Sequence, residues 1–374
     1  MTEEIKKGLL GIIVDETTIS CVMPEINSLS YRGYAVQELC EKCKFEEVAY
    51  LILNGELPNS AELLKFQKKE KSSRFITKNL TDIIKHIPKK AHPMDVARTA
   101  VSVMSLEDKE TSDNSSEANM RKAISILAKM PTAIAAFYRA RKGKKVIKPR
   151  QNLTFAENFF YMCFGKVPPK EIVKAFDVSL ILYAEHSFNV STFTARTITS
   201  SLSDIHGAIT GAIASLKGPL HGGANEEVMH MMKKIKTPNK AKSWLINTLN
   251  KKEIVMGFGH RVYKSGDSRV PTMKKYFHKV AKLKKDKKLF KIYEIIEKEM
   301  ITRKNIYPNV DFPTGPTYHL MGFDTDFFTP IFVISRITGW SAHIIEQHAS
   351  NKLIRPLSKY KGSKHRRVML LNQR

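Results

Sequence analysis

Gly-Phe-Gly-His-Arg-Val-Tyr-Lys-Ser-Gly-Asp-Ser-Arg, residues 257–269, interrupts an otherwise largely helical sequence. Glycines this dense break a helix and let backbone amides come close to a ligand. His260 offers proton transfer near neutral pH, and Arg269 offers a planar fork for a carboxylate. The stretch reads as a loop for chemistry on a small anionic molecule, carried by helices on either side.

Outward from that loop, the chain has 374 residues, 42% of them hydrophobic and 9% aromatic, enough for a sizeable core in one large domain or two unequal ones. No apolar run is long enough for a membrane span, and Met1–Lys7 carries acids where a targeting peptide would not. The expectation is a cytoplasmic protein. Cys40 and Cys43 form a CxxC pair without a second pair to complete a zinc site, and they fall in a helical pattern. They read as reduced structural cysteines. The net charge of +26 raises polyanion binding as an alternative. Its lysines are scattered, however, and no aromatic-interleaved basic ladder, zinc finger or helix-turn-helix signature accompanies them.

In chain order, Leu10–Val14 and Thr18–Val22 suggest a short strand or hairpin. Helical periodicity begins near Tyr34, with Val36, Leu39 and Cys40 on one face and Phe45, Val48, Ala49 and Ile52 on the next. Further helices are expected at about 60–70, 76–87, 94–105, 118–141 and 153–164. Ile198–Leu216 reads as one small-residue helix, Trp244–Leu249 as a short amphipathic piece, and Phe327–Glu346 as a strongly apolar stretch.

Four more places carry chemistry. His186 follows an apolar run and by itself reads equally well as an interior residue. His221, in Gly218-Pro219-Leu220-His221-Gly222-Gly223, sits on a tight loop before a helix, where a neutral imidazole could donate to a carbonyl. Asp311, in a turn bounded by Pro and Gly and flanked by Val310 and Phe312, is a cap or a desolvated base. Arg336, the lone cation of its apolar segment, requires an anionic partner.

The motifs GPLHGGAN (218–225), GFGHRVYKSGDSR (257–269), NVDFPTGPTYHLMG (309–322), FTPIFVISRITGWSAHIIEQ (328–347) and NKLIRPLSKY (351–360) together resemble the citrate synthase family. YRGY at 31, FEEVAYLILNGELP at 45 and HPMDVARTAVS at 92 extend the likeness over nearly the whole chain. The resemblance implies a mainly α, two-domain fold with a short amino-terminal β element. A large domain would comprise 1–219 and 323–374, and a small domain 220–322. It implies catalysis by His221, Asp311 and His260: polarising an acyl-CoA thioester, removing its α-proton, and protonating the oxaloacetate carbonyl. Hydrolysis of the thioester would follow. It assigns oxaloacetate binding to His186, Arg269, Arg336 and Arg355, the last reaching across a homodimer. The CoA contacts would be Ile254, Val255, Met256, Gly257 and Phe258, with Arg261 and Lys264 added on charge and position. Coenzyme A enters as a substrate thioester, and no resident cofactor or metal is implied. AEHSFNVSTFTAR (184–196) and DFPTGPTYHLMGF (311–323) are more similar to members that use propionyl-CoA, the 2-methylcitrate synthases, than to those that use acetyl-CoA. His206 stands where relatives often carry tyrosine.

Overall fold

The computed structural model describes residues 5–9, 11–263 and 265–374. Near the amino terminus three short antiparallel strands form: β1 (Ser20–Met23), β2 (Ser28–Tyr31) and β3 (Tyr34–Ala35). Ser20 stands opposite Tyr31, and Tyr31 opposite Tyr34. The expected strand in 10–14 is absent among the described residues, and Leu10 lies outside them. A short turn at Lys7–Leu9 is followed by irregular chain in which Ile13 is exposed, with no neighbouring strand to take up its backbone groups.

Sixteen α-helices follow among the described residues. In the first half they are α1 (Val36–Lys42), α2 (Phe45–Asn54), α3 (Ser60–Ser73), α4 (Lys78–His86), α5 (Pro93–Leu106), α6 (Ser116–Ala140), α7 (Phe155–Phe164) and α8 (Lys170–Tyr183). Their ends obey local chemistry. Asn59 with Glu62 and Thr154 with Glu157 form capping boxes, each satisfying amide groups that a helix start leaves unpaired. The tract between α5 and α6 is a loop, as its Ser and Asp content requires.

The second half contains α9 (Val190–Thr199), α10 (Ile205–Leu216), α11 (Ala224–Ile235), α12 (Pro238–Asn250), α13 (Val270–Leu283), α14 (Lys287–Lys304), α15 (Asp311–Met321) and α16 (Phe328–Ala349). Three expectations need correcting. The small-residue helix is the end of α9 plus α10, because Asp204 accepts hydrogen bonds from the His206 and Gly207 amides and starts a new helix. The piece at 244–249 belongs to the longer α12, opened by Pro238, whose missing N–H is no loss at a first helical position. Asp311 lies not in a turn but at the start of α15, which accommodates Pro313 in its first turn and Pro316 further in.

Helix α16 is buried on every side from Phe328 to Ile344, the pattern of a helix at the centre of a domain. It packs against α2, α5, α6, α8, α9, α10 and α11. Beside it Phe159, Phe160, Phe164, Phe176 and Phe323 form an aromatic cluster with neighbouring ring centroids 4.9–6.1 Å apart. Helices α11 and α13 pack on α15, and α12 packs on α14. The carboxyl-terminal end of α8, the start of α15 and the middle of α16 thereby converge.

Candidate active site

His221 ends the turn between α10 and α11, its amide bonded to the Gly218 carbonyl. Its Nε2 accepts the Ser191 amide hydrogen at 3.2 Å and lies 2.8 Å from Ser191 Oγ. An imidazole nitrogen that accepts an N–H carries no proton, so the neutral ring holds its proton on Nδ1. Ser191 is itself positioned: its Oγ donates to Asn189 Oδ1 (2.8 Å) and accepts from Trp340 Nε1 (3.1 Å). Burial, followed by the charge of Arg336, pushes the His221 pKa down to about 3. The ring is a neutral donor throughout the physiological range.

Asp311 is buried at the first position of α15, where its Oδ1 accepts the Tyr183 hydroxyl at 2.5 Å. Burial pushes its pKa up to about 6, although the Tyr183 hydrogen bond and the charges of Arg269 and Arg336 oppose the rise. The carboxylate is ionised at neutral pH, yet more basic than an exposed aspartate. Tyr183 also supplies its carbonyl to Arg336 Nε at 2.6 Å, so one residue links the carboxylate and the buried arginine.

The 257–269 loop is held against residues 307–309. Gly259 N donates to the Tyr307 carbonyl (2.9 Å), and Asn309 N donates to the Gly257 carbonyl (2.9 Å). Within the loop, His260 Nδ1 accepts the amides of Val262 (3.0 Å) and Tyr263 (3.2 Å), which puts the proton of the neutral ring on Nε2. The rings of His260 and His186 meet edge to face at 5.2 Å. His186 is buried, and its Nε2 has no hydrogen-bond partner among the described residues. Burial, with the charges of Arg269 and Arg336, holds His186 well below its ordinary pKa, so it too is neutral.

Arg269, at the start of α13, is buried against Asp267 in a two-pronged pair, Nε to Oδ1 at 3.0 Å and Nη2 to Oδ2 at 2.8 Å. Asp267 also accepts the Val310 amide at 3.0 Å, joining the loop to the residue before Asp311. Arg336 projects from α16, stacks on the Phe332 ring at 4.6 Å, and has no side chain hydrogen-bonded to its Nη nitrogens among the described residues. Burial lowers its pKa to about 10, and it remains a cation at neutral pH.

His186, His221, His260, Arg269, Asp311 and Arg336 therefore share one site, buried except for the half-buried His221 and His260: Arg336 acts on His186, His221 and Asp311, and Arg269 on His186 and Asp311. Two guanidinium groups beside neutral histidines suit a small dianion, and a moderately basic carboxylate beside a neutral imidazole donor suits proton abstraction next to a carbonyl. Of the segment 254–258, Val255 and Gly257 are buried and Ile254 is exposed. Arg261 is exposed, its Nη2 3.4 Å from the Gly8 carbonyl. Lys264 lies outside the described residues. Arg355 follows α16 on an exposed segment and is not brought to this site within the single chain.

Several site residues escaped the sequence reading: Tyr183, Asp267, Ser191, Asn189 and Trp340. Asp267 had a legible signal, a carboxylate two residues from the arginine in the loop. Tyr183, Ser191 and Trp340 act across distances of about 30 to 150 residues in sequence, which no local pattern reveals, and Asn189 acts through Ser191.

A family model described as citrate synthase, C-terminal domain, matches residues 8–357. A protein named 2-methylcitrate synthase from Mycobacterium tuberculosis H37Rv is 52% identical over 97% of this chain and 92% of its own length. One named citrate synthase from Mycolicibacterium smegmatis is 52% identical over 98% of this chain and 97% of its own. Among solved structures, a citrate synthase from Thermoplasma acidophilum in ternary complex with carboxymethyl coenzyme A and oxaloacetate superposes with a TM-score of 0.95. It is 32% identical, covering 100% of both chains.

Proposed function

Because the chain belongs to the citrate synthase family, we propose that its site condenses an acyl-CoA with oxaloacetate and then hydrolyses the new thioester. It is a condensing acyltransferase. The observation that carries the stepwise reading is the pattern of protonation. Two neutral histidines have their ring protons placed by backbone donors on the opposite nitrogen, and they share a site with one buried carboxylate that is a base at neutral pH.

In this reading Asp311 removes a proton from the α-carbon of the acyl-CoA while His221 Nδ1–H donates to the thioester carbonyl oxygen. The enol so formed survives only where water is excluded and a preorganised donor meets the developing charge. Its α-carbon attacks the ketone carbon of oxaloacetate, and His260 Nε2–H protonates the ketone oxygen. Water then cleaves the thioester, releasing coenzyme A and the tricarboxylic acid. His186, Arg269 and Arg336 hold the two carboxylates of oxaloacetate, and Arg355 of a second copy completes the set. Ile254, Val255, Met256, Gly257 and Phe258 border the coenzyme A, with Arg261 on its phosphate side. Residues 220–322 form a small domain that closes on the larger one. The molecule is a cytoplasmic homodimer.

The acyl group is propionyl, making this a 2-methylcitrate synthase with a secondary activity on acetyl-CoA. The support is the likeness of AEHSFNVSTFTAR and DFPTGPTYHLMGF to that group, and the name of the Mycobacterium tuberculosis relative. The second reading, a citrate synthase, is favoured by the equally similar Mycolicibacterium smegmatis protein. One methylene is worth about 1–3 kcal/mol in an apolar pocket, so both substrates should turn over. Thiol release measured with each acyl-CoA and oxaloacetate tests the assignment. A higher kcat/KM for propionyl-CoA is expected, a clear preference for acetyl-CoA favours the second reading, and no thiol release with either overturns the condensation itself.

A further inference from the structure

Glu185 lies between Ala184 and His186, is fully buried, and takes no part in the reaction just described. The end of α8 and the two residues after it dock on one stripe of α16. Arg336 Nε donates to the Tyr183 carbonyl at 2.6 Å. A Cβ added at Gly339 would stand 2.5 Å from the Ala184 carbonyl oxygen and 2.2 Å from Glu185 Oε2, so only glycine permits the approach. His343 Nε2 meets Glu185 Oε1 at 2.9 Å. Positions 336, 339 and 343 are three and four residues apart and share a helix face.

The His343 ring is fixed on both sides. Its Nδ1 accepts from Arg196 Nη1 at 3.2 Å, so the Nε2 proton points at Glu185. Arg196 is in turn paired with Asp15 and Glu346, each at 2.8 Å. Ser20 Oγ, from β1, donates to the same Glu185 oxygen at 2.9 Å, while Oε2 has no hydrogen-bond partner among the described residues. Burial would raise the Glu185 carboxyl, but the donors on His343 and Ser20 and the charge of Arg336 outweigh it and hold the group ionised.

The two buried arginines of the site thus differ. Arg269 is clasped by Asp267. Glu185 is the foremost favourable charge on Arg336, yet no hydrogen bond joins the two side chains. A carboxylate without tethers would close on that guanidinium, and the resulting pair would compete with an incoming anion. We propose that His343 and Ser20 tether Glu185 away from Arg336, so that the arginine keeps its counter-charge while its Nη nitrogens remain available to a carboxylate of oxaloacetate. His343 is then a positioning residue for substrate binding, a role that rests on the oxaloacetate reading above.

The test is a set of steady-state measurements on the full-length enzyme, with far-UV circular dichroism as the check on folding. His343→Leu frees Glu185 and should raise the KM for oxaloacetate about tenfold or more while changing kcat by less than about threefold. His343→Gln retains an N–H toward Glu185 and should stay within about threefold of the parent. In the double variant His343→Leu/Glu185→Gln the competing charge is gone, and the KM should return toward the parent value; a role in packing alone would add the two defects instead. A folded His343→Leu enzyme with unchanged KM, or a double variant no better than the single one, overturns the proposal. If His343→Leu does not fold, Ser20→Ala removes the other tether and is judged by the same criteria. Failure of the underlying reading is separate, because the parent enzyme would then release no thiol with oxaloacetate.

Discussion

At the scale of single residues, the Tyr183 hydroxyl adjusts the basicity of Asp311. Burial raises the Asp311 pKa to about 6, and the hydroxyl restrains the rise by donating to the ionised form. In its proposed role as the base Asp311 must be unprotonated, so kcat should fall as pH drops through that value. Tyr183→Phe removes the donor, and the acid limb of the kcat–pH profile should move to higher pH, with little change well above it. A limb that stays or moves down excludes this role. His221→Ala should lower kcat by about 10²–10⁴-fold with the circular dichroism spectrum unchanged, since it removes a positioned donor and leaves the helices intact. The identities of His221, His260 and Asp311 were legible as residues that glycine and proline isolate from regular patterns. Which nitrogen of His221 carries its proton was not, because Ser191 reaches that ring only through the packing of α9.

At the scale of elements, the loop 257–269 depends on close approach as much as on backbone freedom. Gly257 has φ +83°, and a Cβ there would come within 2.6 Å of Val228 Cγ2 and 2.9 Å of Phe312 Cβ. Gly259 has a similar φ of +79°, but its added Cβ would find nothing nearer than Ile306 Cγ2 at 3.8 Å. Both alanine variants incur about 1–3 kcal/mol of backbone strain, and Gly257→Ala adds overpacking of similar size. Urea unfolding midpoints should therefore fall in the order parent, Gly259→Ala, Gly257→Ala; equal losses would show that packing contributes nothing. A second element-level prediction concerns the contact of α2 with α8. Burial first, then the Glu46 carboxylate, pushes Asp177 from 3.8 up to about 7. A folded-state pKa above the unfolded value means that this group's favourable contribution is present below the unfolded value and lost as pH rises through about 7. Asp177→Asn keeps the acceptor for the Phe45 amide (3.2 Å in the parent) and loses the titration. Its thermal stability relative to the parent should rise between pH 5 and pH 8, and a constant difference would contradict the assignment.

At the scale of the molecule, Arg355 is exposed in the single chain, and its proposed place in a second copy's site has a direct test. His221→Ala and Arg355→Ala should each be nearly inactive alone. Co-expressed and mixed at random, they should recover up to about a quarter of parental activity, since mixed dimers then contain one intact site. No recovery from confirmed mixed dimers would place Arg355 in its own subunit's site or outside any. Oxaloacetate alone should draw the proposed small domain closed, visible as a change in small-angle scattering or tryptophan fluorescence. An unchanged signal at saturating oxaloacetate counts against closure before acyl-CoA binds.

Much was determined by the sequence alone. Helical periodicity, the Gly and Pro punctuation and the strongly apolar character of 327–346 follow from local rules, and they suffice for a mainly helical fold. The motif residues His221, His260, Asp311, Arg269 and Arg336 were visible because each departs from those rules. The tertiary structure decided the partners: Tyr183 for Asp311, Asp267 for Arg269, Ser191 for His221, and Glu185 with His343 beside Arg336. The physical reason is that a buried polar group must be satisfied by whatever the packing places within hydrogen-bond reach. For Glu185 that is a helix about 150 residues further along the chain, and no local pattern encodes such a distance.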